Sequence, residues 1–168
     1  PRLFALEPGD HVWLGPKITG AFTLDVIPED KHLVLVATGT GLAPYMSMLR
    51  TRLPEEGRKV SVLLGARHSW DLGYRGELAE IVENAPQVSF VPTISRPEQE
   101  REPWSGRVGY VQDLWKEGVV AEEWGFPPTA ENTHVLLCGN PAMIQDMQSL
   151  LESEGFKLHK KRDPGNIH

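Results

Sequence analysis

The chain has 168 residues, 40% of them hydrophobic and 24% charged, enough for one substantial core in one large domain or a domain with an appendage. Its net charge of −6 speaks against general affinity for nucleic acid, and the one short basic run, Lys160-Lys161-Arg162, reads as a solvated face. No apolar run approaches the ~18–20 residues that a membrane-spanning helix needs, and the opening Pro1-Arg2-Leu3-Phe4 lacks the charged-then-apolar order of a signal peptide.

Residues 1–28 contain two short strand-like pieces, 11–14 and 22–26, set apart by Pro8-Gly9-Asp10, Gly15-Pro16 and Gly20. This is the pattern of the edge of an antiparallel β unit, too small to fold alone. After Pro28 the style changes, and short apolar runs alternate with longer helical patterns, the signature of repeated βαβ units. Strands are expected at 33–37, 60–64, 88–93 and 134–138, and helices at 44–53, 76–83, 109–116 and 141–154. The strand cores are nearly all β-branched or leucine with no polar alternation, as parallel strands buried on both faces require. Residues 29–168 thus read as a doubly wound α/β domain with a parallel sheet flanked by helices. The stretch RPEQEREPWSG, 96–106, is charged and proline-bearing, and is expected to project from the surface as a loop.

In an open parallel sheet, ligands bind outside the carboxyl ends of the strands, so the residues just past each strand carry the most information. Past the first come Thr38-Gly39-Thr40-Gly41-Leu42-Ala43-Pro44. Gly39 and Gly41 would let backbone amides approach an anion at a helix N-terminus, but a plain tight strand–helix turn uses the same residues. Past the second come Ala66 and Arg67, and past the third Ser95 and Arg96, with Arg107 beyond the polar loop. Guanidinium and hydroxyl groups there match a phosphate monoester, each charge-assisted hydrogen bond being worth ~1.5–3 kcal/mol. The end of the second strand lacks the acidic residue that would bind an NAD ribose, although Glu98, Glu100 and Glu102 lie nearby in sequence.

Past the fourth strand comes Cys138-Gly139-Asn140-Pro141-Ala142-Met143, where Asn140 and Pro141 begin a helix. Cys138 is the single cysteine, which excludes an internal disulfide, a thiolate-held iron–sulfur cluster and a multi-cysteine zinc site, and fits a reducing cytoplasm. It reads either as a small buried hydrophobe or as a thiol packed against a reacting ring, and has no histidine partner in sequence for nucleophilic catalysis. The six histidines show no metal-ligand spacing, so no metal site is expected.

The ordered set ATGTGLAPYMSMLR, LLGAR, ISR followed by GR, and LLCGNPAM resembles the NADP-binding domain of bacterial flavin-dependent ferredoxin/flavodoxin–NADP+ reductases. The front segment PRLFALEPGDHVWLGPKITGAFTLD is similar to the last strands of that family's flavin-binding barrel, which implies a barrel remnant over 1–28 and a nucleotide domain with a five-stranded sheet over 29–168. The resemblance implies that Thr38, Gly39, Thr40, Gly41 and Pro44 face the pyrophosphate and nicotinamide, with Thr40 also near the flavin. It implies that Ala66, Arg67, Ser95, Arg96 and Arg107 hold the adenosine end and its 2′-phosphate. Cys138, Gly139, Asn140 and Met143 would flank the nicotinamide ribose and ring, and Thr40 and Cys138 would sit closest to the chemistry.

The implied cofactors are NADP(H) and, in the whole enzyme, FAD; the implied partner is ferredoxin or flavodoxin, and a monomer is expected. The family's flavin-binding R-x-Y-S/T motif is missing, and its members continue past the point matching Gly165-Asn166-Ile167-His168. The chain is therefore expected to bind NADP(H) but not to hold FAD tightly or turn over by itself. Two alternatives stay open: an NADH-dependent reductase module of an oxygenase or flavohaemoglobin, and a non-enzymatic nucleotide-binding module.

Overall fold

The structure, a computed structural model, describes residues 5–17, 20–52 and 57–168. Among these, β1 (His32–Thr38), β2 (Val60–Ala66), β3 (Val88–Ile94), β4 (Arg107–Val108) and β5 (Thr133–Cys138) form one parallel sheet in the spatial order β4-β3-β2-β1-β5. Leu33 lies opposite Val60 on one side and His134 on the other, which puts β1 at the centre. Its residues Leu33 to Ala37 are at most 3% exposed, so the apolar run is buried on both faces, as its lack of alternation implied.

Helices α1 (Ala43–Thr51) and α2 (Arg75–Asn84) cover one face, laying Tyr45, Met46, Leu49 and Leu78 over Leu33, Leu35, Val62 and Leu64. The other face is covered by α3 (Val111–Lys116), α4 (Val119–Trp124) and α5 (Pro141–Ser153), whose Leu114, Val120, Met143, Met147 and Leu151 pack on Val34, Val36, Leu63 and Val135. Met147 is 0% exposed in that second layer. Met147→Ala is expected to cost about 2–5 kcal/mol, read as a lower denaturant midpoint at unchanged slope.

The structure departs from the sequence reading in four places. Residues 11–14 and 22–26 form no strand; a strand exists only where a neighbour accepts its backbone hydrogen bonds, and none of the described residues does so there. Val12, Trp13 and Leu14 are 64%, 98% and 80% exposed, whereas Leu24 and Ile27 pack on the α1 side of the core. The stretch 96–106 is mostly exposed, as expected of a surface loop, but it is not all irregular: Pro97–Gln99 makes a 3₁₀ turn, and the two-residue strand β4 follows the stretch. The helix expected from 109 starts at Val111, because Gly109 has φ +125°. The unforeseen α4 follows Gly118 at φ +74°, where a left-handed residue ends one helix, and its Val119-Val120 start is poor in helix formers. Leu53, where the first helix was expected to end, lies outside the described residues.

A further unforeseen element is the tail, which runs along the outer edge of β5. Val135 and Leu137 donate N–H bonds to the carbonyls of Asn166 and His168 at 2.8 Å, and the His168 N–H returns one to Val135 at 2.9 Å. The edge of the sheet is thereby covered. The imidazoles of His134 and His168 meet Nδ1 to Nε2 at 2.8 Å. Burial, followed by neighbouring charges, lowers both, and His168 falls from 6.5 to about 4. The unfolded chain thus binds these protons more readily, so the stability of the neutral pair is present above pH 6.5 and is lost as pH falls toward about 4. Denaturant midpoints should drop between pH 7 and pH 5, and His168→Gln should flatten that dependence.

Candidate functional site

The strand order decides where the site lies. From β1 the chain proceeds outward through β2 and β3 on one side, and β5 lies on the other side of β1. The strand order thus reverses between β1 and β5, and the carboxyl ends of these two strands are where open parallel sheets have their ligand crevice.

These two turns interlock through glycines. A Cβ on Gly41 would overlap the Cys138 carbonyl and stand 2.8 Å from the Gly139 Cα. A Cβ on Gly139, itself at φ +142°, would overlap the Thr38 hydroxyl and stand 2.8 Å from the Thr38 backbone nitrogen. The Thr38 Oγ1 accepts the Asn140 N–H at 2.8 Å, and the Asn140 Oδ1 accepts the Ala142 N–H at 2.8 Å, capping α5 with Pro141 in its first turn. Because Thr38 is committed to Asn140, no side chain caps the 3₁₀ turn Gly39–Leu42 that leads into α1. The start of that turn is thus open to a ligand anion.

Thr40 is exposed on this turn and Pro44 is half-buried behind it. Cys138 is half-buried against the α1 side of the core, and burial pushes its thiol up, so at neutral pH it is a neutral, soft wall and not a thiolate nucleophile. Met143 is 5% exposed and packs in the core under α5, where it seats the helix.

A second group of strand-end residues lies along the β2–β3 edge. The Ser95 N–H donates to the Ala66 carbonyl and the Arg96 N–H to the Arg67 carbonyl, both at 3.0 Å, so these four residues stand side by side. Arg67 and Arg96 are exposed, and among the described residues neither guanidinium is in an ion pair. Arg107 is different: it reaches Glu122 at 3.2 Å and Glu117 at 3.6 Å on the α3–α4 side, so the three arginines do not share one contact.

Sequence reasoning missed the clasp that fixes this edge. The Glu100 carboxylate accepts the Ser69 N–H at 2.7 Å and its hydroxyl at 2.6 Å. The His68 ring joins Gln99 and Asp71 at 3.0 Å each, bonds that push its imidazole up, and it stacks on Trp70 with centroids 4.4 Å apart. Glu100 is therefore occupied in joining two loops. Nothing in the local sequence signals a bond between residues 31 apart. Tyr110, 64% exposed, was placed inside a helix by the sequence reading; it is the N-cap of α3, beside the end of β4.

The sequence pattern of the oxidoreductase NAD-binding domain matches residues 35–149. The chain belongs to this family. The matched segment of this NAD-binding domain runs from β1 into α5 and contains every strand-end residue described above. Flavodoxin/ferredoxin–NADP reductase of Escherichia coli is 34% identical over 149 residues, 88% of this chain and 59% of that protein. Ferredoxin–NADP reductase of Pseudomonas aeruginosa is 30% identical over 176 residues, 98% of this chain and 66% of that protein. The domain thus spans about 59% to 66% of the length of these two relatives. Among solved structures, a ferredoxin NADP+ reductase from Neisseria gonorrhoeae with bound FAD and NADP superimposes with TM-score 0.74 at 28% identity, over 89% of this chain and 59% of that one. A cytochrome P450 reductase of Amycolatopsis gives TM-score 0.63 at 31% identity, over 84% of this chain and 38% of that one.

Proposed function

We propose that this domain is the pyridine-nucleotide half of a flavin-dependent ferredoxin– or flavodoxin–NADP+ reductase. The observation that carries the reading is the pairing of interlocked glycine turns at the ends of β1 and β5 with a serine and two arginines on the β2–β3 edge that are in no ion pair among the described residues. A dinucleotide laid across the sheet ends would have its nicotinamide beside the first, held by Gly39 to Gly41 and Gly139-Asn140, and its 2′-phosphate at the second, held by Arg67, Ser95 and Arg96. The residues fit NADP(H): Gly39 has nothing within 4 Å of a built Cβ and leaves its backbone open to a ligand, Gly41 and Gly139 hold the two turns together beside it, and Arg67, Arg96 and Ser95 supply the donors a phosphate needs.

Bound nicotinamide and flavin together supply the redox chemistry, hydride exchange on one side and single-electron transfer to the carrier on the other. The chain's own contribution is position. Gly39 to Gly41 and Gly139-Asn140 form the two walls, the exposed Thr40 hydroxyl offers a hydrogen bond, and the neutral Cys138 thiol gives an apolar surface for a planar ring. Residues 1–28 belong to the flavin-binding barrel in this reading, which is supported by the exposed Trp13 and Leu14. The enzyme works in the cytoplasm as a monomer, with ferredoxin or flavodoxin as its partner.

Calorimetric titration with NADP+, NAD+ and 2′,5′-ADP at low salt tests the proposal. Tight binding of NADP+ and 2′,5′-ADP with weak NAD+ binding is expected; NAD+ binding as tight as NADP+ would count against it. A second reading, an NADH-dependent reductase module, is favoured by one observation, the engagement of Arg107 by Glu117 and Glu122. Equal affinity for the two dinucleotides would select it.

A further inference from the structure

Arg107 sits on β4 opposite Thr93, and Ser95 follows two residues on, ~7 Å further along the strand direction at ~3.3 Å per residue. An extended arginine side chain spans such a distance. Its guanidinium instead points to the α3–α4 side, toward Glu122 within α4 and Glu117 at the carboxyl end of α3. All three side chains are partly exposed, Arg107 at 42%, Glu117 at 57% and Glu122 at 64%, so the contacts are surface ion pairs that can open without unfolding anything.

We propose that Glu122, seconded by Glu117, is a positioning residue that draws Arg107 away from the phosphate end of the nucleotide and thereby lowers the preference for a 2′-phosphorylated ligand. This inference rests on the nucleotide reading above. A phosphate monoester carries about −1.5 to −2 charges and three acceptor oxygens, so it outcompetes two separate carboxylates for the guanidinium only after displacing them. Arg67 and Arg96 have no such competitor among the described residues. The domain therefore has two arginines always available and a third whose availability is set from the helical layer.

The test compares 2′,5′-ADP with 5′-AMP as probes, by calorimetry, on the whole chain and on the variants Glu122→Gln, Arg107→Ala and their combination. Glu123→Gln, which removes the same charge one residue away, serves as the control for bulk electrostatics. Loss of one surface ion pair should tighten 2′,5′-ADP about two- to fivefold in Glu122→Gln and leave 5′-AMP unchanged. The gain should vanish in the Arg107→Ala background, and Glu123→Gln should show none of it. An unchanged ratio of the two probes in Glu122→Gln, or an equal gain with Arg107 absent, overturns the inference while leaving the nucleotide reading intact. A wild-type chain that binds neither probe removes that reading and the inference with it.

Discussion

Gly41→Ala lowers stability by about 3 kcal/mol or more and removes dinucleotide binding, whereas Gly39→Ala, two residues away, costs only about 1–2 kcal/mol. The difference follows from what each glycine does. Gly39 adopts φ +53° with nothing within 4 Å of a built Cβ, so alanine there meets only the left-handed backbone penalty. Gly41 carries no such penalty, but its Cβ would be driven into the backbone of Cys138 and Gly139. A side chain can swing aside and the backbone at a strand end cannot, so the ends of β1 and β5 would have to separate. Chemical denaturation of both variants, with NADP+ titration of the folded fraction, measures the contrast. Equal destabilisation of the two would show that the interlock does not set the geometry of the crevice.

Arg96→Ala is expected to weaken NADP+ and 2′,5′-ADP by about ten- to a hundredfold, the range of the ~1.5–3 kcal/mol carried by a hydrogen bond to a charged group, and to leave NAD+ almost unchanged. Arg96 is fixed by its N–H bond to the Arg67 carbonyl and has no carboxylate partner among the described residues, so its loss removes a ligand contact without creating an orphaned charge there. Arg96→Lys should recover only part of the affinity, because an ammonium is a point charge and cannot form the two parallel bonds of a guanidinium. The affinity gap between NADP+ and NAD+ should shrink with added salt in the wild type and less so in Arg96→Ala. A parallel fall for NAD+ would place Arg96 elsewhere on the ligand.

The buried strands were legible because burial on both faces leaves an uninterrupted apolar run, and 33–37, 60–64 and 134–138 all fall inside observed strands. The start of α5 was legible for a local reason too, since Asn140 caps and Pro141 follows. The two-residue strand Arg107–Val108 was not: its side chains are exposed, so it has no apolar signature, and it is a strand only because Thr93 and Ile94 lie beside it. The strand-like pieces at 11–14 and 22–26 show the converse, strand composition with no neighbour to pair with among the described residues. The role of Gly41 was half legible. Its place in G-x-G-x-x-P suggested a close approach, but the close approach in the structure is to the chain's own Cys138 carbonyl.

By itself the sequence determined that strands and helices alternate after Pro28, which residues stand at the strand ends, and hence which groups are available to a ligand. Those are local properties, written in apolar runs, caps and glycines. Tertiary structure decided the rest: that β5 lies against β1, so that Thr38 meets Asn140 across 102 residues, that Glu100 is spent on Ser69, and that Arg107 faces Glu122 and not Ser95. Strand order and ion-pair choice depend on which surfaces bury together, and that is a comparison between distant parts of the chain that no local stretch contains.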